Sequence, residues 1–242
     1  MSTPPLTIVY QDDSLLVVEK PAGIPCLPAR TGDRPVAPTL SSLLVKQRPL
    51  LATLPDFGLA HRLDNDTSGL VVIAKTGDVF THLRQQFSNA SVTKEYTALV
   101  HGQPPDTGTI ALPIAHHPRK KSKMVVDDEG RKAITHYNVL ERYRCCTGTA
   151  CRARTDYTLL CVTIATGVRH QIRVHLASAG FPLAGDRLYQ NAKKRAEDAL
   201  PLSRHFLHAS RLIFRHPVTG KKVECTSELP VDLRAAVQVL SK

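Results

Sequence analysis

Short apolar segments separated by polar turns run the length of the chain, and their spacing alternates between a period of two and one near 3.6, which marks strands and amphipathic helices. Leu6 to Tyr10 and Leu15 to Glu19 flank Gln11-Asp12-Asp13-Ser14 and predict an opening hairpin. Pro21, Gly23, Pro25, Pro28, Gly32, Pro35 and Pro38 then forbid regular structure, after which Thr39 caps a helix reaching about Gln47. Ser68 to Lys75 is a continuous apolar run suited to a buried strand. Thr76 or Asp78 caps a helix toward Ser88, with Val79, Leu83, Gln86 and Phe87 facing inward.

Further strands are predicted at Thr93 to His101, Ala133 to Arg144 and Tyr157 to Ala165, the last two paired through the Cys- and Arg-containing loop between them. Arg169 to Ala179 reads as a helix with Ile172, Leu176 and Ala179 on one face, a basic opposite face, Gly180 at its exit and Pro182 beyond. Strands near Phe206 to Phe214 and Lys221 to Thr226 precede a helix from about Val231 to Leu240. Strands that outnumber helices and interleave irregularly predict an α+β fold, a mixed and mainly antiparallel central sheet with flanking helices and loops. No repeat, low-complexity tract or clean linker interrupts the 242 residues, so residues 1–242 read as one domain.

Composition narrows the class. Hydrophobic residues make up 42% of the chain, enough for a core without metal or disulfide staples. Met1 to Tyr10 lacks the basic-then-apolar order of a signal peptide, and no apolar run approaches the ~20 residues of a membrane span. Cys26, Cys145, Cys146, Cys151, Cys161 and Cys225 have neither disulfide-framework nor Cys-x-x-Cys metal spacing and read as reduced thiols. The expectation is a cytoplasmic monomer. Thirty-two Lys and Arg against twenty-one Asp and Glu give a formal net charge of +11 and favour a polyanionic partner, nucleic acid before an acidic membrane surface.

The sharpest chemical segment is His61-Arg62-Leu63-Asp64-Asn65-Asp66-Thr67-Ser68-Gly69-Leu70, a charged loop directly before a buried strand. By itself it also fits an Asx-turn at a strand entrance. A magnesium-dependent phosphoryl-transfer pair at Asp64 and Asp66 fits poorly, because such a pair follows its strand and here it precedes one.

The same stretch resembles the HRLDxxTSG signature of the RluA-type pseudouridine synthases, and further segments match that family in order. They are Lys20-Pro21-Ala22-Gly23, Lys94-Glu95-Tyr96, Thr166-Gly167-Val168-Arg169-His170-Gln171-Ile172-Arg173-Val174-His175, Gly185-Asp186, Leu207-His208-Ala209 and Phe214-Arg215-His216-Pro217. The resemblance covers about Leu6 to Pro230 and implies a catalytic unit without an appended N-terminal RNA-binding domain. It departs from the family where Val168 replaces the usual Arg and an Arg follows at position 169.

What the resemblance implies is an RNA pseudouridine synthase, acting on ribosomal or transfer RNA without cofactor or metal. Asp64 is then the reacting carboxylate, as nucleophile or as base toward a ribose proton. Arg173 is the cation that the resemblance places beside Asp64 to keep that desolvated carboxylate ionised; as a plain helix residue it would form a solvated stripe with Arg169. Tyr96 stacks on uracil or assists at carbon 5, though a strand Tyr also serves as packing. Ile172 and Leu207 pack around the base, and Arg62 fills the gap left when the base leaves its stack, or else contacts a phosphate.

His116-His117-Pro118-Arg119-Lys120-Lys121-Ser122-Lys123 concentrates cations before a strand-like segment; Arg119, Lys120, Lys121 and Lys123, with Arg169, are candidate phosphate contacts. Adjacent strand residues point apart, so His116 and His117 do not suit joint chelation. The rival from another class is a non-catalytic RNA-binding or ribosome-assembly factor on the same fold.

Overall fold

Seven consecutive buried residues, Ser68–Ala74, form the central strand of the first half of the molecule, as their unbroken apolar run requires. The computed structural model describes residues 6–28, 38–147, 153–192 and 200–240. Within the full chain Met1–Thr93 and Ala209–Glu228 form one compact unit, and Lys94–His208 with Leu229–Lys242 form a second.

In the first unit β1 (Ile8–Gln11) and β2 (Leu15–Lys20) make the expected antiparallel hairpin. Its turn is fixed by Asp12, whose carboxylate accepts from the Ser14 and Leu15 amides. α1 (Leu40–Gln47) starts at Thr39, which closes a reciprocal capping box with Ser42. β2 pairs antiparallel with β3 (Ser68–Ala74), from Leu15 opposite Ala74 to Lys20 opposite Gly69. α2 (Gly77–Ser88) follows, capped by Thr76. It presses Val79 and Leu83 onto Leu15, Val17, Leu70 and Val72, each such side chain contributing about 1.5–3 kcal/mol on burial. Gln86 and Phe87 are only half-buried.

β10, Leu207–Arg215, belongs to the first unit from Ala209 onward. There it neighbours β3 and pairs antiparallel with β11 (Lys222–Thr226). Gly69, at φ +118°, permits this neighbourhood, since a Cβ there would lie 2.3 Å from the Ala209 carbonyl oxygen.

The second unit carries a second antiparallel array in the order β4 (Thr93–His101), β9 (Ala153–Ile164), β8 (Thr135–Thr147) and β5 (Thr107–Ile110). The expected pairing of β8 with β9 holds; the loop between them, residues 148–152, lies outside the described residues. A small hairpin of β6 (Ile114–His116) and β7 (Met124–Val126) stands apart from this array. α3 (Gln171–Ser178) and α4 (Val231–Leu240) complete the unit. Leu233, Ala236 and Leu240 of α4 pack with Leu99, Tyr143, Tyr157 and Phe206. The architecture is α+β and mainly antiparallel. Among the described residues no helix is long and apolar enough to cross a membrane.

α3 starts later than its pattern predicts. The helix begins at Gln171 rather than Arg169, because His170 takes the left-handed conformation at φ +55° and cannot continue a helix. Its basic face is buried, every residue from Gln171 to Leu176 with Arg173 and His175 included, so Arg173 does not form the solvated stripe that is the alternative to a place in the site. His175 is satisfied by the Thr135 hydroxyl and the Leu112 carbonyl, and burial lowers its pKa.

Candidate active site

The loop carrying Asp64 is anchored before and after that residue. Ala60 donates to the Val72 carbonyl, Val72 donates to the His61 ring at Nε2, and that ring stacks on Phe87 at 4.4 Å between centroids. The chain then leaves the strand edge. Leu63 is buried, and both its backbone groups meet the Cys26 thiol, its N–H at 3.3 Å and its carbonyl at 3.5 Å. Burial pushes the Cys26 thiol above its usual pKa, so the neutral form bridges the two groups as acceptor and donor.

Beyond Asp64 the anchor is Lys20, only 1% exposed. Its ammonium donates to the carbonyls of Pro21 (2.8 Å), Ile24 (2.9 Å) and Asn65 (2.8 Å). Three carbonyls match three N–H donors, which is what a buried cation requires. The Gly23 amide adds a second bond to the Asn65 carbonyl, and Thr67 closes a tight turn onto the Asp64 carbonyl at 3.1 Å. Asp64 is thus half-buried at the start of a pinned turn, and Arg62 is exposed on the same loop. A tight turn thus forms at the strand entrance, with a backbone bond from Thr67 to Asp64.

The second unit holds the other candidates. Tyr96 is buried on β4 opposite Val162 of β9. Lys94, two residues earlier, is buried, has its pKa lowered by desolvation, and donates to the Thr166 carbonyl at 3.4 Å. Ile172 and Leu207 are buried on α3 and at the start of β10.

Arg173 and Asp186 form a two-pronged pair, Nε to Oδ2 at 2.7 Å and Nη2 to Oδ1 at 2.9 Å. Burial would raise the Asp186 carboxyl, yet the guanidinium outweighs it and holds the group below the usual carboxylate range. Oδ1 also accepts from the Leu188 and Tyr189 amides. The sequence reading noted Gly185-Asp186 only as a matching segment; the fork that seats Arg173 in its own unit has no signature in spacing, since 13 positions separate the partners.

The basic run forms the loop between β6 and β7. His117 organises it, Nδ1 accepting from the Arg119 and Lys120 amides at 3.1 and 3.2 Å. Arg119, Lys120 and Lys121 are exposed and Lys123 is partly so. Among the described residues none of the four is in an ion pair, and four cations within five positions concentrate positive charge on this loop. Arg169, also exposed, donates to the Lys121 carbonyl at 3.3 Å. Val168 packs against the cluster of Ile114, Met124, Ala133 and Val174, which gives the unexpected apolar residue a place.

Two mainly antiparallel units, one bearing a carboxylate on a loop held by a buried lysine, define the class to which the sequence comparisons also lead. Residues 14–178 match the family model for RNA pseudouridylate synthase, and the chain belongs to that family, in its RluA-type branch. It is an isomerase acting on RNA. The chain is 39% identical to ribosomal large subunit pseudouridine synthase D of Xanthomonas campestris pv. campestris, covering 98% of this chain and 70% of the relative. It is 39% identical to the protein of the same description from Pseudomonas aeruginosa, over 94% and 69% of the two chains. The solved structure of human RNA pseudouridylate synthase domain containing 1 superposes with a TM-score of 0.71 at 26% identity, covering 93% of this chain and 84% of that one.

Proposed function

We propose that this chain converts a uridine of large-subunit ribosomal RNA to pseudouridine, with Asp64 as the reacting carboxylate and both units acting as one catalytic domain. The observation that carries the assignment of Asp64 is the anchoring of its loop by Lys20 and Cys26, which fixes the backbone on each side of one half-buried carboxylate. Preorganisation of this kind is what a reaction at a single carbon needs. The family match from 14 to 178 runs through both units, which supports reading them as one catalytic body. The relatives' descriptions as large-subunit enzymes favour that RNA over transfer RNA, and a ribosomal RNA modifier belongs in the cytoplasm.

In the reaction the bond from the uracil N1 to the ribose C1′ breaks, the base turns, and C5 bonds to C1′. C5 loses its proton and N1 gains one, so atoms and electrons balance within the nucleotide. Asp64 serves either by attacking or by taking a ribose proton. Arg62 takes the stacking position vacated by the flipped base, at a flipping cost of about a few kcal/mol. Tyr96 offers its face to the uracil, with Ile172 and Leu207 packing around it and Arg173 supplying positive charge. Arg119, Lys120, Lys121, Lys123 and Arg169 hold phosphates, and the protein works as a monomer. Mapping pseudouridines in total RNA from cells with and without this protein tests the substrate: a site lost from large-subunit RNA is expected, and an unchanged large-subunit map refutes it.

A further inference from the structure

The basic loop and Arg173 meet at one side chain that none of the site assignments uses. Tyr189 follows Asp186 by three residues, and its backbone amide donates to the same Asp186 oxygen that receives Arg173 Nη2. Its hydroxyl lies 2.8 Å from His170 Nδ1 and accepts from the Met124 amide at 2.9 Å, where the basic loop passes into β7. Its ring carries two cations, the Arg173 guanidinium at 5.1 Å and the Lys123 ammonium at 5.3 Å from the centroid. The His170 ring meets it edge-on at 5.8 Å.

We infer that Tyr189 is a positioning residue that fixes the basic loop and Arg173 in one register, so that RNA held by the loop is presented to a correctly oriented guanidinium. The inference rests on the roles proposed above for Arg173 and for the basic loop. The hydroxyl accepts the Met124 N–H and shares a second hydrogen bond with His170 Nδ1, and the left-handed backbone of His170 places that ring immediately before α3. One phenol thereby ties the end of the loop, the start of the Arg173 helix and the Asp186 fork. A side chain serving only the apolar cluster of Ile114, Met124, Ala133 and Val174 would need the ring alone.

Tyr189→Phe keeps the ring and both cation contacts and removes only the hydroxyl. Two quantities are read against the parent: single-turnover pseudouridine formation at saturating RNA, and the slope of log K against log salt for RNA binding. The expected result is a rate lower by about tenfold, because small misplacements at a reacting centre are costly. The slope should also flatten by about 1 as the loop loses its fixed register. Parental values of both overturn the inference, as does a lowered melting temperature with rate and slope intact. Should Tyr189→Phe fail to fold, His170→Asn releases the hydroxyl from one side in a residue that tolerates left-handed backbone, and the same two readings apply. Asp64→Asn and Lys120→Ala with Lys121→Ala run alongside. If those variants lose rate and slope respectively while Tyr189→Phe does neither, this inference alone fails; if they too behave as the parent, the underlying site assignment has failed.

Discussion

The loop that carries Asp64 and the loop that carries Arg119 to Lys123 are both irregular and charged, yet they are held in opposite ways. The first is fixed by buried side chains remote in sequence, Lys20 at 45 positions from Asn65 and Cys26 at 37 from Leu63. The second is shaped mainly by its own His117 and tethered at one end by Tyr189, with Arg119, Lys120 and Lys121 in solvent. Displacing the first breaks several buried polar contacts at once, whereas the exposed side chains of the second can adjust to a chain of phosphates while its backbone keeps its register. The difference separates a device for geometry from a device for attraction, and the variants at Asp64, Lys20, Lys120 and Lys121 each touch one and spare the other.

The largest effect is expected from Asp64→Asn, which keeps the turn and removes the ionised carboxylate. Pseudouridine formation should fall by at least about 10³-fold, within the range typical of a lost acid–base or nucleophilic group, and RNA affinity should persist. Tritium release from uracil-labelled RNA measures the first and filter binding the second; substantial turnover removes Asp64 from the chemistry. Next comes Lys20→Met, which retains the apolar stem and deletes the ammonium. The Pro21 and Ile24 carbonyls then lose this donor, each at about 1–3 kcal/mol where water does not reach it, while the Asn65 carbonyl keeps the Gly23 amide. The rate at saturating RNA should drop by roughly 100-fold with little change in affinity. An unchanged rate would show that the Asp64 turn holds without its cation.

Asp186→Asn tests the fork that seats Arg173. Removing one member of a buried pair costs about 3–5 kcal/mol, seen as a lower denaturation midpoint at neutral pH. The pH dependence has a definite sign. The folded-state pKa of Asp186 lies below its unfolded value, so its contribution is complete above about pH 4, the ordinary carboxylate pKa, and is lost as pH falls through the folded value. The stability gap between parent and Asp186→Asn should therefore narrow on acidification, and a gap that widens contradicts the assignment.

Much of the fold was legible because alternation and helical spacing are local properties. Thr93–His101 and Val231–Leu240 form the elements expected at those positions, and the Thr39 cap is where the pattern puts it. β5 and β6 were not legible, since strands of three or four residues carry too little periodicity to stand out from loops, and β7 showed only as a strand-like segment after the basic run. The partners that satisfy the basic face of α3 were not legible for a different reason: Asp186, Thr135 and Leu112 reach Arg173 and His175 from other parts of the chain. At the site, the Asp64 segment announced itself by its motif. The anchoring of that segment did not, because the partners of Lys20 and Cys26 are backbone groups, which leave no trace in side-chain patterns.

The smallest effect, and the one that isolates attraction from geometry, concerns the basic loop. If Arg119, Lys120, Lys121 and Lys123 contact phosphates, each displaces condensed counterions when RNA binds, and observed affinity falls steeply with salt. Lys120→Ala with Lys121→Ala leaves untouched the His117 ring that orders the loop, because the bonds it accepts come from backbone amides. The double variant should therefore keep the loop's shape while flattening the slope of log K against log salt by roughly 1 to 2 units. Its single-turnover rate at saturating RNA should stay within about twofold of the parent, since an electrostatic contact shared by bound substrate and transition state changes affinity and not rate. Arg173→Ala should show the reverse, a lost rate with a slope close to the parent's. A parental slope in the double variant would mean that these exposed cations are a solvated surface and that the RNA is held elsewhere.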